Sequence, residues 1–457
     1  MPKLLEEFPP LTTAEWEAAI QKDLKGADYN KKLVWRTDDG IAVKPYYRSE
    51  DLAGLEYLEA ARPPRAINDW QIADTIPENI SVDASRFEES GATTVQELAY
   101  ALAEGIEFLA EHKPDDITFS FAMGSSYFFQ IAKLRAFRLL WSRVAQAFDS
   151  PVKMHLHCRT SRWNKSIYDA HVNILRGTTE AMSAALGGAD SITVEPFDAR
   201  YKTPDAASLR LAHNTQLILQ KEAYLDRVAD PAAGSYYIES LTDSLSREAW
   251  KQMQRIEEFG GFHKAHDSGM IPSELAESRR KRDAAVAQRR KVFVGVNQYP
   301  NLAERMLDKI EPHHVSNVTR GPEIFESIRL RTEESGESPL FLLAEFGDVK
   351  MRKARSQFIT NFFGCAGFTV ETRAFASMKE VAGAQSDVIV LCSSDAEYLP
   401  AVVELKKELK AIGRSTAIIV AGMPKDADAL KAAGVAEFVN IKSNAAETLQ
   451  AWQERLS

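Results

Sequence analysis

Two histidines one residue apart, His155 and His157, followed by Cys158, form the most chemically suggestive cluster in the chain. On a strand, residues two apart share a face, and two imidazoles so placed can hold zinc. No third ligand group accompanies them in sequence, so buried packing or a substrate-side contact competes with a metal. A second cluster is basic: Arg279, Arg280, Lys281 and Arg282, then Arg289, Arg290 and Lys291. Such a run can attract anions or nucleic acid. Glu274, Glu277 and Asp283 interleave it, which reads instead as a solvated helix face. Cys392-Ser393-Ser394 ends an apolar run where an open parallel sheet takes its ligands; plain core packing is the alternative. Asp348 follows another such run and could act as an acidic switch-point residue. Gly364 and Gly367 form no GxGxxG pattern after a strand, so no dinucleotide site is expected.

These side chains need a scaffold, and the hydrophobic pattern supplies one. Residues 11–25 read as a helix with a Thr12/Glu15 capping box and with Trp16, Ile20 and Leu24 on one face. LVWRT and IAVKPYY flank Asp38-Asp39-Gly40, a hairpin signature. The stretch 51–79 is irregular, and residues 1–79 read as an arm whose apolar residues (Leu4, Leu5, Trp16, Val34 and Trp35 among them) need another surface to cover them. From residue 80 short apolar runs alternate with helical patterns. ISVD, ITFSF, KMHLH and SITV read as strands, and 93–111, 125–147 and 171–186 as helices, which argues for βα units and a parallel sheet. Helical patterns also cover 205–222, 239–258, 301–311 and 322–334, and VFVGV after the basic run reads as a short strand. A polar break at 333–339 marks a domain boundary. Beyond it, LFLLAEF, FTVETR, VIVLCS, AIIVAG and EFVNI predict five strands, with helices over 349–364 and 397–412. That is the pattern of a flavodoxin-like doubly wound domain.

The bulk numbers narrow the class. With 457 residues there is chain enough for two to four domains. A net charge of −9 argues against a nucleic-acid binder. Three scattered cysteines, with no CxxC pair, point to a reducing, cytoplasmic setting. The N-terminus carries no secretory or transit pattern, and no apolar run approaches the length of a membrane span.

Co-linear segments then identify a relationship. Gly91-Ala92-Thr93 with QELAYALAEG, SYFFQIAKLRAFRLLW, HLHCRTSRW, RGTTEAMSAALGG, AHNTQLILQKE, RVADPAAGSYYIESLT and VGVNQY run in order over residues 80–300. Together they resemble the barrel of the methylmalonyl-CoA mutase family, and the chain looks most like its small, non-catalytic subunit. The resemblance implies an α/β fold: a TIM-like (β/α) barrel that binds acyl-CoA, then a flavodoxin-like domain of the cobalamin-binding type. It implies a radical rearrangement between methylmalonyl-CoA and succinyl-CoA, with adenosylcobalamin supplying the radical. The barrel looks incomplete: Trp70-Gln71-Ile72 resembles its start, yet by Ser85 the chain has reached a late strand, and only four clear strands lie between 80 and 200 instead of eight. Such a part-barrel leaves two sheet edges exposed. The expected division is an arm over 1–79, a part-barrel over 80–300, a helical linker over 301–338 and a degenerate cobalamin-type domain over 339–457.

Key positions depart from the family pattern. Thr75 stands where active members place a wedging tyrosine, Ser85 and Arg86 where they place a Tyr-His pair, and Arg159 where they have glutamine; His157 is retained and, with Arg159, is the candidate acyl-CoA contact. The cobalt-ligating D-x-H-x-x-G signature falls on Lys350, Arg352 and Arg355, and no histidine occurs between 315 and 457. A guanidinium has no lone pair to give a metal. The later S-x-L reads Ser393-Ser394-Asp395, and the Gly-Gly that admits the nucleotide tail reads Ala421-Gly422. The resemblance therefore implies a subunit of an isomerase whose own site is inactive. It would hold neither cofactor nor metal and would pair with a large catalytic subunit that binds adenosylcobalamin, with acyl-CoA bound by the complex. An independent acyl-CoA-binding or chaperone-like protein without turnover is the alternative.

Overall fold

A computed structural model describes residues 11–148, 152–311 and 319–456. Two five-stranded parallel sheets organise it. The arm comes first. Helix Thr13–Asp23 carries the expected capping box, with the Glu15 amide donating to Thr12 and the Thr12 amide donating to Glu15, yet it buries no residue. The hairpin forms as β1 (Trp35–Arg36) and β2 (Ala42–Val43), antiparallel, with Trp35 opposite Val43.

The first sheet uses β3 (Gln71–Ile72), β4 (Val82–Asp83), β5 (Asp116–Met123), β6 (Lys153–Thr160) and β7 (Ser191–Thr193) in the order β3-β7-β6-β5-β4. The strand at 71–72 lies inside the segment read as arm and becomes one edge of this sheet. Alternation gives the sheet two unlike faces. Ile117, Phe119, Phe121, Leu156, Cys158 and Ile192 are buried in one apolar core. Helices Thr94–His112 and Tyr127–Ala147 supply the other wall of that core. Phe119 meets Phe137 and Trp141 edge-on, each at 4.7 Å. A Cβ at Gly105 would sit 2.8 Å from the Phe119 ring and 2.9 Å from Trp141. Gly105→Ala is therefore expected to lower stability by about 1–3 kcal/mol through overpacking, read as a shift in the urea midpoint.

The other face carries Thr118 and Ser120 on β5, His155, His157 and Arg159 on β6, and Ser191 and Thr193 on β7, in lateral register. In a closed (β/α)₈ barrel such a face lines the axis. Here β3 and β4 remain edges, and only residues 73–81 connect them. That connection is tied to Thr193 at Thr75 and to Thr118 at Ser81, so it passes over the polar face where whole βα units would otherwise stand. The incomplete barrel expected from sequence is the observed architecture.

The second sheet orders β8 (Leu340–Glu345), β9 (Thr369–Ala374), β10 (Val388–Cys392), β11 (Ala417–Ala421) and β12 (Glu437–Val439) as β12-β11-β10-β8-β9. This is the flavodoxin-like arrangement, with helices on both faces. Helices Val349–Gly364 and Ala445–Leu456 share one core with β8 and β10, while Tyr398–Ala411 covers the other face. The first of these cores continues through Phe325 to Trp163 and Phe293, so the two halves are joined by packed side chains.

Two element readings fail. VFVGV makes no strand: Val294 forms only an isolated bridge to Gln298, because Asn297 caps a turn by accepting from the Phe293 amide and donating to the Lys291 carbonyl. Residues 301–311 make turns and one short 3₁₀ segment, Leu307–Lys309, held where the Met306 and Leu307 amides donate to Glu333. Among the described residues, no helix is long and apolar enough to cross a membrane.

Candidate functional site

Helix Ser85–Ser90, directly after β4, and the end of β6 bring part of the expected site together. Gly91 ends that helix at φ +111°, and a Cβ there would lie 2.6 Å from Arg279 Cβ on helix Met270–Ala287. Only glycine allows both the left-handed turn and that approach. Arg159 reaches across to this helix. Its Nε donates to Ser85 Oγ at 3.0 Å, and its Nη2 donates to Glu89. Ser85 in turn donates to Asp83. Burial raises the Glu89 carboxyl above its usual range despite Arg159. Beside this group Glu195 accepts from Arg162 at 3.1 Å and Arg200 at 2.5 Å. Two of the expected positions therefore hold each other in an ion-paired, hydrogen-bonded network.

The other expected residues lie apart. Arg86 points outward, donates to Glu104 at 2.7 Å and lies over the Phe87 ring. Thr75 is exposed and contributes its carbonyl to Thr193. His157 is fully buried: its Nδ1 lies 2.9 Å from Ser191 Oγ, and His155 Nε2 lies 3.0 Å from the same hydroxyl. Burial lowers the His157 pKa to about 4, so this imidazole is neutral. Its Nε2 has no partner. Cys158 faces the opposite, apolar side, and burial pushes its thiol up to about 12. No cluster of three potential ligands for a metal occurs among the described residues.

The basic run divides in a way its composition concealed. Arg280 and Lys281 are exposed and share Glu277. Arg282 instead stacks on Trp163, its guanidinium carbon 4.1 Å from the ring centroid, and donates to the Glu88 carbonyl. Lys291 approaches the same ring, and Arg289 lies over Phe358 and Phe362. A uniformly solvated face is thus corrected: three cations turn inward because Trp163, Phe358 and Phe362 offer them aromatic faces.

At the carboxyl end of the second sheet, Asp348 caps helix Val349–Gly364 by accepting from the Met351 amide at 2.7 Å. Lys350 is exposed and Arg352 half-buried. Arg355 donates to the Ala421 carbonyl and, at 2.6 Å, to Asp395. Its guanidinium fills the space beside Gly422, where an added Cβ would collide with Nη1. Tyr398 donates to the same Ala421 carbonyl at 2.7 Å. Ser393 Oγ carries one hydrogen and lies within hydrogen-bond distance of both the Phe346 carbonyl, at 2.8 Å, and Glu397. Cys392 is buried, and desolvation raises its thiol pKa. At this end of the sheet Arg355, Tyr398 and Ser393 thus direct their hydrogen bonds to the chain's own carbonyls and carboxylates.

A part-barrel followed by a flavodoxin-like domain, with ionic residues packed at the carboxyl ends of both sheets, makes this a parallel α/β chain of two sheets. Residues 71–362 match the family model described as methylmalonyl-CoA mutase. The chain is 34% identical to the methylmalonyl-CoA mutase small subunit of Porphyromonas gingivalis, over 99% of this chain and 98% of that protein. That alignment runs over 614 positions against 457 residues here, so gaps in this chain make up the difference. It is also 34% identical to the probable methylmalonyl-CoA mutase small subunit of Mycobacterium tuberculosis, over 82% of this chain and 64% of that protein. The methylmalonyl-CoA mutase of Escherichia coli is 37% identical over 55% of this chain and 37% of its own length. Apart from the first, these relatives extend well beyond what the chain spans. The chain belongs to the methylmalonyl-CoA mutase family.

Proposed function

We propose that this chain is the non-catalytic subunit of a heterodimeric, adenosylcobalamin-dependent methylmalonyl-CoA mutase, supporting the methylmalonyl-CoA/succinyl-CoA isomerisation carried out by a large subunit. The observation that carries the reading is Arg159. It occupies the position of a family glutamine, and its Nε and Nη2 are spent on Ser85 and Glu89, with Nη1 left buried and without a partner. The cobalamin-type crevice supports the same reading. Its residues do not fit the cofactor: no imidazole is present, and Arg355 is seated on Ala421 and Asp395 against Gly422. Cobalamin would then be held by the large subunit alone. The arm offers the partner a surface, since Trp16 and Trp35 remain about half exposed and Val34 half-buried; Leu4 and Leu5 lie outside the described residues.

Mutase turnover with added adenosylcobalamin, measured on the chain alone and mixed with a large subunit, tests this, with size-exclusion chromatography alongside. The expected result is no turnover alone and a stable 1:1 complex that turns over. Turnover by the isolated chain would overturn the reading. The absence of both complex and turnover would favour an independent acyl-CoA-binding protein.

A further inference from the structure

An edge strand can recruit another chain, because one side of its backbone is left without partners. Among the described residues, the two five-stranded sheets end on β3 and β4, of two residues each, on β12, of three, and on β9, Thr369–Ala374, of six. Only β9 is an edge of ordinary strand length. It is exposed at Thr369, Thr372, Arg373 and Ala374 and half-buried at Val370 and Glu371. The devices that usually blunt an edge are missing from it. TVETRA holds neither proline nor lysine. Its register with β8 runs unbroken from Thr369 opposite Leu340 to Ala374 opposite Glu345, so no bulge turns it away.

The hydrogen bonds fix which groups face outward. The Thr369 amide donates to the Pro339 carbonyl at 3.0 Å, and the Phe375 amide to the Glu345 carbonyl at 2.9 Å. The odd-numbered residues therefore turn their backbone toward β8. Val370, Thr372 and Ala374 turn theirs to the free side, where no hydrogen bond takes it up. These three positions are symmetric about Thr372. A second β9 laid antiparallel, with Thr372 opposite its own copy, puts Val370 opposite Ala374, and each such pair can exchange both N–H···O bonds. The same register puts Glu371 opposite Arg373 on both sides of the axis, in the non-hydrogen-bonded pairs whose side chains come closest. Within one chain these two already share a face, Arg373 Nε donating to Glu371 at 2.7 Å. Sliding one strand by two residues keeps outward groups paired but sets Glu371 against Glu371, or Arg373 against Arg373. Backbone and charge thus select one register. We propose that β9 pairs with β9 of a second copy of this chain, antiparallel about Thr372, joining the two flavodoxin-like sheets edge to edge. One short strand pair buries little against the roughly 1,200 Å² of a stable interface, so this self-association is transient. It is independent of the subunit role argued above.

Sedimentation velocity of the full chain alone, at low salt and from micromolar to submillimolar concentration, tests it. The parent is expected to shift toward twice its mass as concentration rises. Glu371→Arg and Arg373→Glu each set like charges opposite one another in both pairs, and each is expected to weaken association at least about tenfold. Both side chains reach solvent, so the fold should tolerate either change. Mixing the two variants in equal amounts sets opposite charges face to face again, and the mixture is expected to associate as the parent does. Thr372→Pro removes the outward N–H at the axis without touching a bond to β8, and is expected to leave the chain monomeric. The proposal is overturned if the parent stays monomeric throughout, if the single charge variants associate as the parent does, or if their mixture stays monomeric.

Discussion

Replacing Lys165 by methionine is expected to cost about 3–5 kcal/mol of stability, the penalty for removing one partner of a buried ion pair. Lys165 and Glu180 both expose 2% or less of their side chains and meet at 2.7 Å. The ammonium also donates to the Ser161 carbonyl and to Asn164 Oδ1, each at 2.7 Å, while Asn164 donates to the other oxygen of Glu180. All three ammonium hydrogens are used, and both carboxylate oxygens are capped. Removing the cation leaves Glu180 buried beside a thioether, where desolvation already raises its pKa. The loss reaches further, because the Lys165 carbonyl accepts from Arg320, which is paired with Glu326 at 2.9 Å on helix Glu323–Glu334. This loop therefore ties the first sheet to the helix that precedes the second. Urea unfolding measures the effect. The double variant K165M/E180Q is expected to recover part of the loss, since it removes the stranded charge. A K165M midpoint within about 0.5 kcal/mol of the parent, the range of an ordinary surface substitution, would refute the account.

Two buried groups are expected to give the chain opposing pH dependences that cancel in the parent and separate in single variants. Burial outweighs Lys133 and pushes Glu97 from 4.5 up to about 7. The folded state therefore binds this proton more tightly than the unfolded state. Its contribution is complete below pH 4.5 and is lost as pH rises through about 7. His157 runs the other way. Burial lowers it from 6.5 to about 4, so its contribution is complete above pH 6.5 and is lost as pH falls through about 4. At about 1.4 kcal/mol per pKa unit, each contribution is on the order of 3 kcal/mol. Glu97→Gln should leave the His157 slope unopposed, so that the difference from the parent shows stability falling with acid. His157→Asn should leave the Glu97 slope, with stability falling as pH rises from 4.5 to 7. Urea midpoints between these limits read both. Variants whose profiles run parallel to the parent's would show that neither group titrates as described.

The sequence determined the elements because periodicity and capping are local. Alternation in ITFSF and KMHLH set both the strands and their two faces, and Thr12 with Glu15 set a helix start, all before any tertiary contact was known. It also determined what is missing. A chain without histidine between 315 and 457 has no imidazole to offer from its second sheet, whatever its fold. The count of strands before residue 200 likewise showed that eight could not close. Local signals misled where tertiary satisfaction outranked propensity: VFVGV has the composition of a strand, yet Asn297 bends it into a turn.

Direction and company were left to the tertiary structure, because a side chain's partner usually comes from far along the chain. Ser85 and Arg86 are neighbours in sequence, but helix geometry sends one to Arg159 and the other outward to Glu104. The basic run looked uniform, but Trp163, more than a hundred residues earlier, turned Arg282 and Lys291 inward. Arg355 was legible as a lost signature position; that it would fill the space beside Gly422 was not. The buried pair Glu97 and Lys133 gave no sequence signal at all, since each sits in an ordinary helix and only the packing of the two helices brought them to 2.8 Å. Residue types and period fix what a segment can form, but which polar groups end up buried together, and whether they find partners, is decided when the segments pack.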